Sequence, residues 1–434
     1  MTHRSRRTVV TSIATAGTLG LAGCLSSVSE WRDRDDDDEE APPDGPMPES
    51  ETDDTDEEPT GTDATVGLPG EPIDSFEDLD GWVSMIDAGT LEATTDEPYA
   101  GTQSAQLTAG DDTEHATIYR TFSGGIDLSE SNLSLAVLFS GREQLHLTLE
   151  LFAPNVRAVH TMERTLVGPT DRWMRVDFGT TQVEGDPDLS DIREIRLRAR
   201  RRGDPSGSID CRIDDLRAVD RPETGAVMML FDGTLESHHE VALSHMEGYD
   251  FTGVEAVIPD AVGDGGRLTI TQLEDLVDAG WDVAARPRTG AQSLPEFTPE
   301  QQEGALERTN AYLENRGFSD GTNHFVTPRN ILGPETIDLV REHHKQAFRY
   351  GGAPNALPLT DPHNVGFFDA DAGETTQAYL EHAADYGQLA VLHVEEIGDE
   401  GMSEAAFVDL LEYIDDLSLE VITASELLAD RGEP

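Results

Sequence analysis

Few side chains in this sequence are equipped for chemistry. The two thiols are Cys24 and Cys211, and no histidine lies near Cys211 in sequence to activate it. A lone thiol without such a partner is expected to be a buried, inert one. His238 and His239 follow Asp232 by six and seven residues at a predicted helix start. They either approach the rim that Asp232 occupies or lie on the surface, and the surface is the expectation. His343-His344 and Asp361-Pro362-His363 lack convergent partners in sequence and are expected in solvent. Asp369 and Asp371 are two oxygen donors spaced to suit a cation. The one basic stripe, Arg196, Arg198, Arg200, Arg201 and Arg202, would contact an anionic glycan or form a solvated strand face that balances local acid.

These groups sit in a strongly acidic chain. Its 434 residues carry 87 Asp+Glu against 30 Lys+Arg, a formal charge of −57. Lys345 is the single lysine. A phosphate backbone needs a basic footprint, so nucleic acid is excluded as a partner. At about 1 M salt the screening length falls to roughly 3 Å and the self-repulsion largely vanishes. Acid excess along the whole chain with almost no lysine is the composition expected of a protein from a very salty cytoplasm or medium. The apolar share of 37% is enough for a core, and the length favours more than one domain.

The first 24 residues read as an address. Arg6-Arg7 precede an uncharged stretch from Thr8 to Gly23 that is too short and too rich in Gly, Ala and Thr for a membrane span. A paired arginine before a weakly apolar run resembles a twin-arginine export signal. It ends Leu21-Ala22-Gly23-Cys24, which resembles a lipobox. Lipidation of Cys24 would anchor the chain on the outer face of the membrane without a spanning helix. Residues 25–69 contain the acidic run Asp35 to Glu40 and lack apolar periodicity, as expected of a disordered tether.

The rest of the chain must supply the elements that hold the candidate groups in place. Over residues 70–221 the pattern has period two. Leu145, Leu147, Leu149 and Leu151 alternate with polar residues, and Ile195, Leu197 and Ala199 alternate with arginines. Turns at Gly124-Gly125, Gly168-Pro169 and Gly203-Asp204 separate such runs, which predicts an antiparallel, jelly-roll-like β-sandwich. The runs Phe76 to Trp82, Gly101 to Leu107 and Ile213 to Leu216 resemble carbohydrate-binding modules. Trp82, Trp173 and Tyr119 are the aromatics available for a sugar platform, each expected in the core. Asn132-Leu133-Ser134 fits an N-glycosylation acceptor.

Over residues 222–434 strand and helix alternate. Val227 to Phe231 reads as a strand buried on both faces. Further strands follow at Val254–Ile258, Trp281–Ala285, Ala347–Tyr350, Leu389–Val394 and Leu419–Thr423. Helices are predicted from Ser237 to Met246, Thr271 to Ala279, Thr298 to Arg316, Pro334 to His343, Thr375 to Tyr386 and Ser403 to Leu417. Such alternation argues a parallel sheet closed or nearly closed into a barrel, with active residues at the C-terminal ends of its strands.

Four landmarks in this half, Phe231-Asp232-Gly233, Gly280-Trp281-Asp282-Val283, Phe325-Val326-Thr327-Pro328 and Leu392-His393, resemble the polysaccharide deacetylase family. The resemblance covers about half of the chain. It implies a distorted (β/α) barrel that removes acetyl groups from N-acetylated polysaccharide, using a divalent metal such as zinc. It implies catalytic roles for Asp232 as base and His393 as acid, and substrate contacts from Trp281, Arg286, Pro328 and Arg329. The chain departs from the family at the metal. Without a gap, Asp232 matches the base and Gly233 replaces a metal carboxylate; with a one-residue deletion, Asp232 matches either role. Arg286 and Gly290 stand where the metal histidines are expected. A guanidinium stays protonated and offers no lone pair to a metal. Arg286 is therefore expected either to fill the metal's place and pair with Asp232, or to point into solvent. Two functions follow from the resemblance. One is a cell-surface deacetylase acting on cell-envelope polysaccharide. The other is a non-catalytic glycan-binding lipoprotein built on the same barrel, with no metal of its own.

Overall fold

A computed structural model describes residues 64–141, 144–202, 207–398 and 401–429. Residues 61 to 434 make up one compact unit. Its first part is a sandwich of two six-stranded sheets whose pairings are all antiparallel. One sheet holds Ser104–Ala109, Ser131–Ser140 and Ile209–Asp220 at its centre; the other holds Gln144–Phe152 between Val159–Val167 and Ile192–Arg201. The predicted alternation sets the faces. Leu145, Leu147, Leu149 and Leu151 enter one core with Ile195, Leu197 and Ala199, and that core also takes in Phe76, Trp82 and Cys211. Burying each large side chain stabilises the fold by about 1.5–3 kcal/mol.

The second part is a closed barrel of seven parallel strands. They are β1 (Ala226–Asp232), β2 (Val254–Val257), β3 (Asp282–Ala285), β4 (His324–Val326), β5 (Gln346–Tyr350), β6 (Val365–Asp369) and β7 (Gln388–Val394). Pairing runs in that order and closes from β7 back to β1. Helices α1 (Ile270–Asp278), α2 (Pro299–Asn315), α3 (Pro334–His343), α4 (Glu374–Asp385) and α5 (Glu404–Asp416) lie between or after the strands. Thr269 and Thr298 cap α1 and α2 with reciprocal Gln272 and Gln301 bonds, which explains why both helices start where they do. No helix among the described residues is long and apolar enough to cross a membrane.

Strand parity decides what reaches the barrel mouth. Met228 and Leu230 of β1, Ala284 of β3, Val365 and Phe367 of β6, and Leu389 and Val391 of β7 fill one core inside the barrel. Val227, Met229, Phe231, Val283 and Leu392 fill another on the side of the helices. Continuing the interior series by one step gives Asp232, Arg286, Asp369 and His393.

The sandwich meets the barrel through buried polar groups. Arg164, from Val159–Val167, is fully buried and donates to Asn355 Oδ1 at 2.7 Å and to the Asn364 carbonyl. Gly366 leaves the room it needs, since a Cβ there would overlap the guanidinium. Asp177 accepts from the hydroxyl and backbone N–H of Thr360 at 2.6 and 3.0 Å. Arg349 is also fully buried and reaches across to the Gly168 carbonyl at 2.5 Å.

Several expectations are corrected here. Asn132 donates to the carbonyls of Leu357 and Gly387 at 2.9 and 3.1 Å in this junction, so its amide is not open to glycosylation in the folded chain. His344 and Asp361 are buried rather than solvated. Residues 237–246 form a π-helical turn (His238–Leu243) running into Ser244–Met246, not a regular helix. The sequence reading also missed β4 and β6 as strands; Val365 to Phe368 carries the apolar run that marks β6.

Candidate functional site

The site is built where four strands end. β1 stops at Asp232 because the chain turns through Gly233 (φ 109°) and then through Thr234, a β-branched residue held at φ 57°. Thr234 is fixed there by donating to the Ala256 carbonyl and accepting from the Ile258 N–H at 2.8 Å. Arg267 donates to the Gly233 carbonyl from outside the turn. The result projects the Asp232 carboxylate into the mouth. Arg286 follows β3 and keeps the ladder going through its N–H to the Val257 carbonyl at 3.1 Å. Asp369 and His393 are register partners at the ends of β6 and β7.

These side chains converge. Arg286 Nε lies 2.7 Å from Asp232 Oδ1. Neither atom makes a directed hydrogen bond, so the contact is an ion pair. His393 Nε2 lies 3.5 Å from Asp232 Oδ2, and His393 Nδ1 is 2.9 Å from Asp369 Oδ1. The imidazole also stacks on Phe367, with ring centroids 4.4 Å apart.

Burial opposes a charge on His393, but the two carboxylates outweigh it and push the imidazole up to about 9. Burial also opposes the charge on Asp232; His393 and the Arg286 guanidinium overcome that and hold the carboxyl below its ordinary range. Near neutral pH the cluster is therefore an imidazolium and a guanidinium on one carboxylate, with Asp369 behind the ring. Such a histidine can donate a proton and cannot accept one. Asp232 is a weak base, since both its oxygens face cations.

A second buried pair supports this cluster from behind the barrel wall. His238 Nδ1 lies 2.8 Å from Glu255 Oε2, and His238 Nε2 lies 2.7 Å from the Glu395 carbonyl. Both residues are fully buried. Burial pushes Glu255 up; the same burial disfavours charge on His238, but Glu255 holds its proton and raises it. The expected surface position of His238 is thus wrong; His239 is half-buried and pairs with Asp275 at 3.1 Å. Glu255 gave no signal in sequence, because its partner lies 17 residues away across a turn.

The mouth opens into a cleft of about 370 Å³ lined by Asp232, Arg286, Arg288, Arg329, His393 and Glu395, with Thr327 and Phe367. Arg329 donates through Nε and Nη2 to the Gly290 carbonyl at 3.0 and 2.8 Å, clipping the loop after β4 to the loop after β3. Arg329 and Asn330 are consecutive left-handed residues, φ 55° and 62°, and this turn sets them on the rim.

Asp232, His393, Arg286 and Arg329 thus meet at one cleft. Two other residues expected to contact substrate do not line it. Trp281 has the opposite parity; it is 3% exposed and stacks on Phe231 with centroids 4.7 Å apart, so it belongs to the core. Pro328 is buried beneath its loop and does not line the cleft. Cys24 lies outside the described residues. Among the other candidates, Trp82 is core and donates to Asp74, while Tyr119 and Trp173 are half-buried. Arg196 pairs with Glu194 and Glu150, and Arg198 lies 3.7 Å from Glu150, so much of the basic stripe balances local acid. Cys211 is fully buried.

The donor set does not fit a divalent metal. Asp369 and Asp371 do not converge: Asp371 accepts from Thr376 and from the Gly373 N–H in its own loop. Asp232 is taken by two cations, Gly233 and Gly290 offer no side chain, and no group of three potential ligands occurs among the described residues. A cation placed on Asp232 would first have to displace Arg286.

No family model and no curated protein matches the sequence. Solved structures do resemble parts of it. The Xyl-CE4 domain of a multidomain xylanase from the hindgut metagenome of Trinervitermes trinervoides is 16% identical, over 49% of this chain and 93% of its own, with a TM-score of 0.37. A family 4 acetyl xylan esterase from Clostridium thermocellum, solved with a cobalt ion, is 17% identical over 48% and 93%, with a TM-score of 0.36. A CE4 family pseudoenzyme from Bacillus anthracis is 12% identical over 48% and 67%, with a TM-score of 0.36. About half of the chain takes part in each likeness, and what the site can do follows from its own geometry.

Proposed function

We propose that the barrel mouth is a glycan-recognition site of polysaccharide deacetylase type in which metal-dependent hydrolysis has been lost. The observation that carries this reading is the 2.7 Å ion pair between Arg286 and Asp232. The guanidinium supplies the positive charge that a metal would supply, but it cannot generate a nucleophilic hydroxide. The partner is cell-envelope polysaccharide carrying N-acetyl groups. His393 and Arg286 are among the donors lining the cleft for an amide carbonyl, and the neighbouring sandwich offers a second surface for the same chain.

Retained catalysis is the second reading, favoured by the intact His393–Asp369 contact at 2.9 Å. One experiment separates them: titration with N-acetylated oligosaccharides beside an acetate-release assay, with and without added zinc or cobalt. Binding without acetate release supports the recognition site. Metal-stimulated acetate release that is lost in His393→Ala supports an enzyme.

We also propose export through residues 1–24, lipid attachment at Cys24 and display on the outer membrane face above the tether of residues 25–69. The arginine pair and the Leu21-Ala22-Gly23-Cys24 run support this. Radiolabelled lipid incorporation that disappears in Cys24→Ser tests it.

A further inference from the structure

The cleft reverses the electrostatic sign of the molecule. Over the whole chain, acidic residues outnumber Lys and Arg by 87 to 30. The cleft is lined by three guanidiniums, Arg286, Arg288 and Arg329, against two carboxylates, Asp232 and Glu395. Asp232 is already engaged by Arg286 and His393. The other two arginines make no contact ion pair, although Glu296 acts on Arg329 through space. Arg288 is exposed and spends one N–H on the Asp260 carbonyl at 3.2 Å. Arg329 is exposed and bonds the Gly290 carbonyl through Nε and Nη2, which leaves Nη1 open. Among the described residues neither one has a carboxylate in ion-pair contact. In a chain with so much acid to offer, two unpaired guanidiniums on one concave wall mark a place kept for an anion from outside.

The sign changes again across His393. On its other flank a cavity of about 480 Å³ is lined by Asp369, Glu395 and Glu396. On the arginine side the groove continues past Arg288 to Arg308, where two further hollows of about 290 and 400 Å³ are lined by both arginines, with one acid in each, Asp260 and Glu300. A ligand crossing the mouth would meet an arginine-rich wall on one side and an acidic wall on the other.

We propose that the cleft takes an acidic glycan, a sugar chain bearing carboxylate or sulfate groups, with those groups seated against Arg288 and Arg329. This rests on the glycan reading above and adds the substrate class. An arginine fork matches both oxyanions, and partners in direct contact are screened less than charges further apart.

Calorimetric titration in molar potassium chloride tests it. The probes are N-acetylated oligosaccharides of equal length that are neutral, uronate-bearing or sulfated, with free acetate and free sulfate as controls. The expected result is about tenfold tighter binding of an acidic oligosaccharide than of the neutral one. Arg288→Ala/Arg329→Ala should bring the acidic and neutral ligands within about twofold, and Arg288→Lys/Arg329→Lys should keep part of the preference. Whichever acidic arm binds tighter names the acid. Equal binding of acidic and neutral chains, unchanged in the double alanine variant, overturns the inference and leaves glycan recognition standing. No binding of any oligosaccharide overturns both. Free acetate or sulfate binding as tightly as the oligosaccharides overturns it in favour of a simple anion site.

Discussion

Arg286 and Asp232 face each other at 2.7 Å across the ends of two strands that are not neighbours, β3 and β1, with β2 between them. The pair is largely buried, so its worth depends on both partners being present. Removing one member of a buried pair leaves an uncompensated charge at a cost of about 3–5 kcal/mol. His393 remains to offset part of that. Arg286→Met is expected to lower the unfolding free energy by about 2–3 kcal/mol, and Arg286→Met/Asp232→Leu to recover most of it. Chemical denaturation of the three proteins checks this.

His393 makes stability depend on pH. Its folded pKa, about 9, lies above its ordinary 6.5. A raised value means that the stabilisation is complete below about pH 6.5 and disappears as pH climbs through 9. Each tenfold gain in proton affinity on folding is worth about 1.36 kcal/mol, so the full loss is on the order of 3 kcal/mol. Denaturation midpoints between about pH 6 and 10 should fall in the natural protein, and His393→Gln should remove most of that slope.

The His238–Glu255 pair is fully buried and also holds the Glu395 carbonyl at the cleft. Glu255→Gln keeps the shape but weakens the hold on the proton of His238. A loss of about 2–4 kcal/mol is expected, with weakened ligand binding because Glu395 lines the cleft. Calorimetry beside a denaturation curve reads both effects.

Gly366 has no room for a methyl group beside Arg164. Gly366→Ala is expected to destabilise by about 1–3 kcal/mol or more, because the guanidinium must move off its buried partners. Arg164→Ala in the same chain should relieve the clash, so the two changes should be strongly non-additive in thermal unfolding.

Cys211 is fully buried, and burial pushes its thiol well above the ordinary range. In a Cys24→Ser chain, a thiol reagent such as dithionitrobenzoate should not react until denaturant is added.

Much of this architecture was legible in the residues. Period-two leucines at 145 to 151 gave the sandwich sheet its buried face, and Val227 to Phe231 gave the first barrel strand. The same parity leads from Leu230 to Asp232 and from Val391 to His393, so the meeting of those two side chains was within reach of sequence. The pairing of Arg286 with Asp232 was one of two open readings, and geometry decided it. Trp281 belongs to one of the landmark runs, and its parity with Val283 already placed it on the core face. His238, Glu255 and Asp369 were undervalued for another reason. Each gains its meaning from a partner in a different strand or turn, and nothing in local sequence fixes that distance. Arg288 and Arg329 come from the loops after β3 and β4, and their meeting at one cleft is visible only in three dimensions.

The seam between sandwich and barrel bears on any attempt to divide the molecule. Arg164 and Asp177 find their partners, Asn355, Asn364 and Thr360, only across that boundary, while Arg349 looks back to Gly168. Cutting the gene near codon 222 would strand ionised groups on two freshly bared faces. The fragments should be sticky and hard to refold alone, and they should regain solubility when expressed together.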